Sequence, residues 1–483
     1  MAATSSVSVA NCFIDLATFS ELESFLYGGP LAISFFVAGV QKANWFSIIP
    51  IALRNNGIFS LGQEGVSSSL NRSGDYVLNL WFRCEFPTLA PVVAKLAADT
   101  CRWTRNLMHN IIKRCTISFN ELIVQEFDNY WLDFNYMFRI PASKRVGYKQ
   151  MIGDVQTMTT SFDPTGTVAT VSGGLTRGIY GGYFSVVLPF WFGEDSGVAL
   201  PVAALPFNDI KINYEFRNAT DLLVLRGTQT IANLASLQPG ADATTGLPSA
   251  SVIFPDGAPN FRNANTFAHY AVIHNDERTK MGDSPRDMLI RQIQTVADTE
   301  VPVSATTLSV DLRISHSVVS LFFAMRNKSQ PAEWSNYTTN FDQGVVFGPS
   351  APVAQGGVGN ERFHDPIANT RLSYENTARL DQNSDFFSKV HPYLYSEAVP
   401  DEPGYHMWTY SIKPWEALSP AGSTNFSKLA NATMTHDISN LARYWMNHPL
   451  TGLGIPLKLT SIFIAQNWNI ARAANGSIGH PTL

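Results

Sequence analysis

Two adjacent carboxylates are the first candidates for chemistry in this sequence. Glu194 and Asp195 stand side by side in LPFWFGEDSGVALPVAALPFNDIKINYEF, residues 188–216. A pair of carboxylates can serve as general acid and general base, as in glycoside hydrolysis. Adjacent residues of an extended strand point to opposite faces, however, and adjacent carboxylates in a turn are usually only solvated. We therefore predict no catalytic role for this pair.

Other chemical motifs are missing from the sequence. There is no GxxxxGK[ST] phosphate loop, no complete GxGxxG after a strand, no HExxH and no GxSxG. Residues 355–361, QGGVGNE, contain only the fragment Gly357-Val358-Gly359. The ten histidines are scattered, without an i, i+4 pair on a plausible metal-binding helix. The sequence thus predicts no enzyme activity and no catalytic, cofactor-binding or metal-binding residue.

Cysteine usage and the N-terminus bear on the compartment. The four cysteines, Cys12, Cys84, Cys101 and Cys115, are unevenly spaced and form no CxxC pair, which favours a reducing compartment. The N-terminus MAATSSVSVANCFIDLATF lacks the basic and apolar regions of a signal peptide. The apolar run at 30–40 is far shorter than the ~20 residues of a membrane span. The sequence predicts neither a signal peptide nor a membrane-spanning helix.

Composition favours a protein that buries surface against partners. Charged residues make up 15% of the 483 residues, against roughly 25% in soluble proteins, and aromatic residues reach 12%. Charge is depleted and aromatic side chains are enriched in the cores of interfaces. The alternative that composition leaves open is a large, well-packed monomer. The net charge of −5 provides no basic stripe, so we expect no direct nucleic-acid binding.

Alternation with a period of two dominates the chain and predicts strands. It is strict in IKINYEF (210–216), and it recurs in LSVDLRIS (308–315), DYVLNLWF (75–82) and HMWTYSI (406–412). In DYVLNLWF the pattern predicts one buried face formed by Tyr76, Leu78, Leu80 and Phe82. Pro189, Pro201 and Pro206 should mark strand starts, edges or bends, since proline cannot donate to a sheet ladder. Many short strands separated by turn residues indicate a sandwich or barrel.

Helical signals are few and short. Ser20 and Glu23 form a capping-box pattern before a helix that should end at Gly28-Gly29. Residues 125–138, QEFDNYWLDFNYMF, repeat aromatic side chains at helical spacing, which we interpret as core packing. Long polar stretches at 154–178, 226–266 and 329–362 are interpreted as loops, and the charge cluster NDERTKMGDSPRD (275–287) as a domain boundary.

Several stretches resemble a known family. They are RSGDYVLNLWFR (72–83), RWTRNLMHNIIKRCTISFNEL (102–122), PASKRVGYKQMIGD (141–154), DSGVALPVAALPFNDIKI (195–212), NDERTKM (275–281), RDMLIRQIQT (286–295), SNYTT (335–339), GSTNFSKLANAT (422–433) and NGSIG (475–479). In this order they resemble the major capsid proteins of nucleocytoplasmic large DNA viruses, most of all those of the iridovirus, ascovirus and marseillevirus group. Residues 436–460 depart from the family, being bulky and aromatic where relatives often have small residues, so a loop of different shape is expected there.

The resemblance implies an all-β double jelly roll, that is, two consecutive eight-stranded antiparallel β-sandwiches with short helices in the loops. The expected division is an N-terminal assembly segment (1–26), a first jelly roll (27–276), a linker (277–286) and a second jelly roll (287–483). The resemblance further implies a homotrimeric, pseudo-hexameric capsomer in the capsid of a virion that assembles in the host cytoplasm. Expected partners are neighbouring capsomers, minor capsid and penton proteins and, through residues 1–26, the internal membrane side of the capsid.

A second functional class stays open from the sequence. Jelly rolls also occur in lectins, so a carbohydrate-binding or carbohydrate-processing sandwich is the alternative. Such a site would need exposed aromatic side chains on a concave face, and Trp334, Tyr337 and Trp408 are the candidates.

Overall fold

A computed structural model of the chain describes residues 13–14, 16–30, 32–36, 42–87, 90–91, 100–155, 181–226, 252–253, 260, 262–283, 285–340, 364–447 and 456–479. The chain divides into two units, Met1–Trp45 and Phe46–Leu483. In the first unit the expected capping box is present, because the backbone N–H of Ser20 donates to the Glu23 carboxylate at 3.0 Å. The helix that follows, α1, spans Glu21–Leu26.

The first half of the second unit contains a four-stranded and a five-stranded sheet. In chain order its strands are β1 (Phe46–Ala52), β2 (Arg54–Asn56), β3 (Glu64–Ser69), β4 (Tyr76–Glu85), β5 (Ala90–Pro91), β6 (Thr100–Trp103), β7 (Ile112–Phe119), β8 (Leu122–Asp128), β9 (Tyr183–Leu188), β10 (Ile210–Phe216), β11 (Leu223–Arg226), β12 (Val252–Ile253) and β13 (Arg262–Ile273). Sheet A has the order β1-β13-β4-β9, and sheet B has the order β2-β3-β10-β7-β8. Two small pairs, β11-β6 and β12-β5, lie in the connections.

The second half repeats this plan. Its strands are β14 (Arg286–Glu300), β15 (Thr307–Asp311), β16 (Ser317–Asn327), β17 (Ile367–Tyr374), β18 (Thr377–Asn383), β19 (His406–Thr409), β20 (Thr424–Asn425), β21 (Ala432–Ile438), β22 (Leu459–Ala474) and β23 (Ser477–Gly479). Sheet C has the order β14-β22-β16-β19, and sheet D has the order β15-β21-β17-β18.

The two halves have the same strand order. Each half has eight main strands, which are β1, β3, β4, β7, β8, β9, β10 and β13 in the first half and β14 to β19, β21 and β22 in the second. Numbered along the chain within each half, the strands of sheets A and C both follow the order first, eighth, third, sixth. Sheets B and D both contain second, seventh, fourth, fifth. All pairings are antiparallel, and this is the order of a jelly roll. We call sheets A and B the first sandwich, and sheets C and D the second sandwich.

Helices lie in the connections. They are α2 (Leu107–Asn110), α3 (Asn129–Arg139), α4 (Ala142–Ile152), α5 (Ala219–Leu222), α6 (Asn275–Asp283), a π-helix (Phe386–Val390), α7 (His391–Tyr395) and α8 (Asn440–Asn447). Short 3₁₀ turns occupy Trp191–Gly193, Ser196–Val198, Val202–Ala204 and Phe426–Lys428. The helix expected at 125–138 begins only at Asn129, since residues up to Asp128 complete β8. Its aromatic stripe is buried, as expected.

The strand predictions hold with three corrections. The strand predicted at 406–412 ends at Thr409, and Ile412 beyond it is exposed. IKINYEF forms β10 with strict alternation of burial, and Leu308, Val310, Leu312 and Ile314 are all buried although β15 ends at Asp311. In β4 Leu80 and Phe82 are buried as predicted, but before them Val77 is buried in place of Tyr76 and Leu78. The consecutive residues His269 and Tyr270 pair with Asn79 and Val77, so Leu78 is an extra residue that reverses the alternation.

The predicted loops are partly regular structure. The stretch at 226–266 begins with the end of β11 and ends inside β13, and residues 227–251 lie outside the described part. Most of 154–178 and the part of 329–362 from 341 onward also lie outside it. The segment 436–460 contains the end of β21, helix α8 and the start of β22. The three prolines separate β9 from β10 through three 3₁₀ turns, as predicted.

Candidate functional site

Aromatic, cation–π and hydrogen-bond contacts join the two sandwiches along a boundary that we call the seam. The outer face of sheet C, which is the face that points away from sheet D, packs on α3 of the first sandwich. Phe322 of β16 is its centre: its ring centroid lies 5.4 Å from Trp131, 5.9 Å from Phe134 and 5.6 Å from Phe138. Because sheet C is covered on both faces, every residue of β16 except Ser317 is buried. This explains why residues 318–325 of β16 are apolar except for Ser320, rather than alternating between apolar and polar.

Edge strands also meet at this seam. The Gln292 side chain of β14 donates to the Val124 carbonyl of β8 at 2.8 Å. The first strand of the second sandwich thus lies beside the fifth strand of the first. The donor is a side chain and no backbone ladder joins the two strands, which belong to different sheets.

A tryptophan between two guanidiniums crosses the seam. Trp334 follows β16, and its ring lies 3.7 Å from the Arg217 guanidinium carbon and 3.8 Å from that of Arg326. Arg217 also donates to the carbonyls of Asn110 (2.7 Å) and Ile112 (3.1 Å). Burial lowers the pKa of Arg217 to about 10, which leaves it charged at neutral pH. The stack therefore couples two cations to one aromatic face each.

Asp133 is a buried acceptor beside this stack. Its carboxylate accepts hydrogen bonds from Asn106 (3.0 Å) and from the Tyr337 hydroxyl (2.9 Å), and lies 2.7 Å from His109 Nδ1. The other ring nitrogen of His109 is 2.7 Å from the Tyr148 hydroxyl. A buried carboxylate with these partners is satisfied, so the network ties α2, α3 and α4 to the second sandwich.

Glu194 and Asp195 do not act as a pair. Glu194 lies at the seam, 3.2 Å from Nε of the buried Arg291 and 3.5 Å from Arg139. Asp195 accepts the Gly197 backbone N–H at 2.6 Å and caps a 3₁₀ turn. The two carboxylates have separate structural partners, as expected from their adjacency.

One buried cluster has the residue types of a hydrolase triad. Ser384 Oγ lies 2.9 Å from His406 Nε2, and Asp365 Oδ2 lies 2.8 Å from the same nitrogen. A catalytic triad instead places the carboxylate on Nδ1, so that Nε2 is free to take the serine proton. All three residues are also buried. This geometry does not activate the serine, and residues 19 to 41 positions apart gave no signal in the sequence.

Other kinds of site are also absent from the described residues. They contain no group of three His, Cys, Asp or Glu side chains arranged to hold a metal ion. Nor does any helix among them have the length and apolarity to cross a membrane. A shallow recess of about 320 Å³ beside α8 has a lining that includes Ser304, Thr306, Arg443 and Tyr444.

The aromatic residues named for a carbohydrate site do not form one. Tyr337 is fully buried, and Trp334 lies between the two arginines. The ring of Trp408 packs on His391, with centroids 4.6 Å apart. None of these three side chains is free to stack on a sugar.

Family models match nearly the whole chain. The model described as major capsid protein N-terminus matches residues 34–271. The model described as large eukaryotic DNA virus major capsid protein matches residues 277–479.

Curated relatives and solved structures agree with these matches. The chain is 40% identical to the major capsid protein of Wiseana iridescent virus over 484 residues, covering 98% of this chain and 93% of the relative. It is 35% identical to that of Lymphocystis disease virus 1 (isolate Darai) over 500 residues, covering 100% of both. The PBCV-1 virus capsid protein matches at TM-score 0.66 and 18% identity, covering 93% of this chain and 100% of that one. The Faustovirus major capsid protein matches at TM-score 0.65 and 12% identity, covering 95% and 96%.

The two solved structures share the fold, which confirms the double jelly roll. With the full-length identity to the curated relatives, this establishes that the chain belongs to the family of major capsid proteins of large eukaryotic DNA viruses.

Proposed function

We propose that three copies of this major capsid protein form a homotrimeric capsomer of nearly hexagonal outline, which tiles the flat facets of an icosahedral shell. The observation that carries the proposal is the repeated strand order of the two sandwiches. Three chains contribute six blocks of similar architecture, and six such blocks around one axis approximate a hexagon. Each contact in a cyclic trimer joins two different patches, so the ring closes without leaving either patch unused.

We propose the same division of the chain that the sequence predicts. We assign residues 1–26 to an assembly segment, 27–276 to the first jelly roll, 277–286 to a linker and 287–483 to the second jelly roll. The positions of the last strand of the first sandwich, β13, and of the first strand of the second, β14, support the linker assignment.

Further partners follow from the capsid role. Neighbouring capsomers, minor capsid proteins and penton proteins would contact the trimer, and residues 1–26 would contact other capsid proteins or the internal membrane side of the shell. The exposed apolar side chains of this segment support that contact: Phe13, Ile14, Leu16, Phe19, Leu22 and Phe25. Assembly would take place in the host cytoplasm.

We also propose that the protein is not an enzyme and requires no metal or cofactor. The Ser384 arrangement and the separate partners of Glu194 and Asp195 support this view. Stoichiometric metal retained by purified, chelator-washed protein would contradict the metal part of the proposal.

Sedimentation and negative-stain imaging of the purified full chain test the capsomer. We expect a species of three chains and particles of hexagonal outline. The wild type remaining monomeric at high protein concentration and in capsid-like buffer would contradict the proposal. Monomers that bind glycans would support the carbohydrate-binding alternative.

A further inference from the structure

Each of the two surfaces that meet at the seam has an equivalent elsewhere in the same chain, one on each sandwich, that the other sandwich of the chain leaves open. In the seam, the helix that follows the fifth strand of one sandwich, α3 after β8, covers the outer face of the next sandwich's sheet C. The second sandwich also has a helical segment after its fifth strand, the π-helix and α7 after β18. The first sandwich has in sheet A the counterpart of sheet C.

The outer face of sheet A has an open, apolar centre, beside which lie the polar side chains of His269 and Arg83. Trp81 lies on its third strand, in register with Phe267 of the eighth strand and Val187 of the sixth. Phe322, the centre of the seam, lies on the third strand of sheet C, in register with Ile464 of the eighth strand and Met407 of the sixth. The two aromatic residues therefore occupy equivalent places.

The residues at these equivalent places on sheets A and C differ in how far they are buried. Phe322 and its two partners are fully buried. Trp81 and Phe267 are only half-buried, and Val187 is exposed. On the neighbouring first strand, Phe46 and Ile48 are 57% and 49% exposed. The open face of four strands measures on the order of 400 Å² in projection, within the size range of patches that mark interaction sites.

The helical segment after β18 is also apolar and open. Val390, Tyr393 and Leu394 are exposed, with Tyr393 at 78% and Leu394 at 61%. We call these three residues the helical patch. The segment is anchored from beneath, because Phe387 is buried in the second core and packs edge-to-face on Phe323, with centroids 5.4 Å apart.

The edge strands of the two sandwiches also include one pair that meets at the seam and an equivalent pair that is exposed. In the seam, the fifth strand β8 lies beside the first strand β14. The other fifth strand, β18, is exposed at every residue except Leu380, and the other first strand, β1, is exposed at every residue except Ile51. Both are the edge strands of their sheets.

From these correspondences we infer that the intrachain seam is repeated between chains. The helical patch and β18 of one copy dock on the outer face of sheet A and on β1 of a second copy. The contact is heterologous and leaves one free patch of each kind on every chain until a ring closes. This inference rests on the proposed trimer and supplies its contact residues. Its partner is a second copy of this chain, because the contact already exists once within the chain.

Paired charge variants of the full chain test this assignment. The sheet A variant is Ile48→Asp with Val187→Asp, and the helical-patch variant is Tyr393→Asp with Leu394→Asp. All four side chains are exposed in the single chain, so each variant should still fold, with the circular dichroism spectrum of the wild type. Burying charge at the centre of an interface should raise the trimer's apparent dissociation constant about 100-fold or more. The matched control is Ile58→Asp, a residue 84% exposed in the turn before β3, which should trimerise like the wild type.

Mixing the two variants gives the sharper result. The sheet A variant keeps its helical patch, and the helical-patch variant keeps its sheet face. An equimolar mixture should therefore form a one-to-one heterodimer that cannot grow, observable by native mass spectrometry. Each variant alone should be monomeric.

The outcomes separate this inference from the proposed trimer. Wild-type and variant trimers of equal stability would overturn the contact assignment while leaving the trimer intact, and would assign sheet A to another occupant, such as a different capsid protein. A mixture that stays monomeric would overturn the head-to-tail pairing. A wild type that never trimerises would overturn both.

Discussion

The guanidinium of Arg217 stacks on the indole of Trp334 across the seam, with 3.7 Å between its central carbon and the ring centroid. Arg326 covers the other face at 3.8 Å, and the indole N–H donates to the Asp221 carbonyl at 2.9 Å. The arginines come from different sandwiches, so the tryptophan fixes the position of one sandwich against the other.

Removal of this ring should weaken the seam. Trp334→Ala leaves a cavity between two buried cations, and we expect the free energy of unfolding to fall by about 3 kcal/mol. Trp334→Phe keeps an aromatic face and loses one hydrogen bond, which should cost about 1 kcal/mol. Urea unfolding monitored by circular dichroism measures both changes, with the exposed Ile58→Ala as control. Equal stability of Trp334→Ala and wild type would contradict the role of the stack.

Asp128 should destabilise the fold at alkaline pH. It accepts the Trp131 backbone N–H at 2.9 Å at the start of α3, and burial raises its pKa to about 6. A carboxyl whose folded pKa lies above its unfolded value of 3.8 costs stability at high pH, and this cost disappears as the pH falls through 6 towards 3.8.

Asp128→Asn keeps an acceptor at the helix start without the charge. At pH 8 we expect it to raise the free energy of unfolding by about 2 kcal/mol, and at pH 4 to have little effect. Urea unfolding at both pH values provides the test. Asp276→Asn, at an exposed position of α6, is the control and should change stability at neither pH. A destabilised Asp128→Asn at pH 8 would show that the carboxylate is needed as an ion.

His436 should contribute to acid sensitivity. Burial lowers its pKa to about 3, with repulsion from His406 as a second cause, and its Nδ1 lies 3.0 Å from the Thr370 hydroxyl. The unfolded chain takes up a proton near pH 6.5, whereas the folded chain does not until near pH 3. The stability is therefore complete above pH 6.5 and declines as the pH falls, by about 1.4 kcal/mol per pH unit from this residue.

His436→Gln removes this proton uptake. Between pH 6 and pH 4.5 its stability should fall less steeply than that of the wild type by about 1.4 kcal/mol per pH unit, although its stability at pH 8 is lower. His274→Gln, at an exposed position after β13, is the matched control and should keep the wild-type slope. Parallel slopes for His436→Gln and wild type would contradict the low pKa.

The N-terminal segment should act in assembly rather than in folding. Deletion of residues 1–26 should leave trimers of nearly unchanged thermal stability, while reducing their incorporation into capsids. The physical reason is that the described apolar side chains of this segment are exposed and need a partner surface. Sedimentation, thermal unfolding and a capsid incorporation assay measure the three quantities. Loss of folding or of the trimer would instead place the segment in the core.

Local patterns determined much of this protein from the sequence alone. The strict alternation in β10, the capping box of Ser20 and Glu23 and the proline breaks between β9 and β10 depend on neighbouring residues only, so they could be predicted. The absence of catalytic motifs and the family resemblance also came from the sequence. The alternation in β4 failed at Leu78, because a bulge depends on the partner strand β13.

Only the tertiary structure decided which surfaces meet. The apolar residues around Phe322 indicate a strand that is buried on both faces, but they do not show that α3 covers it, nor that Trp81 stays open on the equivalent strand. Trp334 contacts Arg217, which lies 117 positions earlier in the chain, and the cluster of Asp365, Ser384 and His406 likewise joins three separate segments. Such contacts depend on how whole sheets pack, because burial of a second sheet face is a property of the neighbouring layer and not of the strand itself.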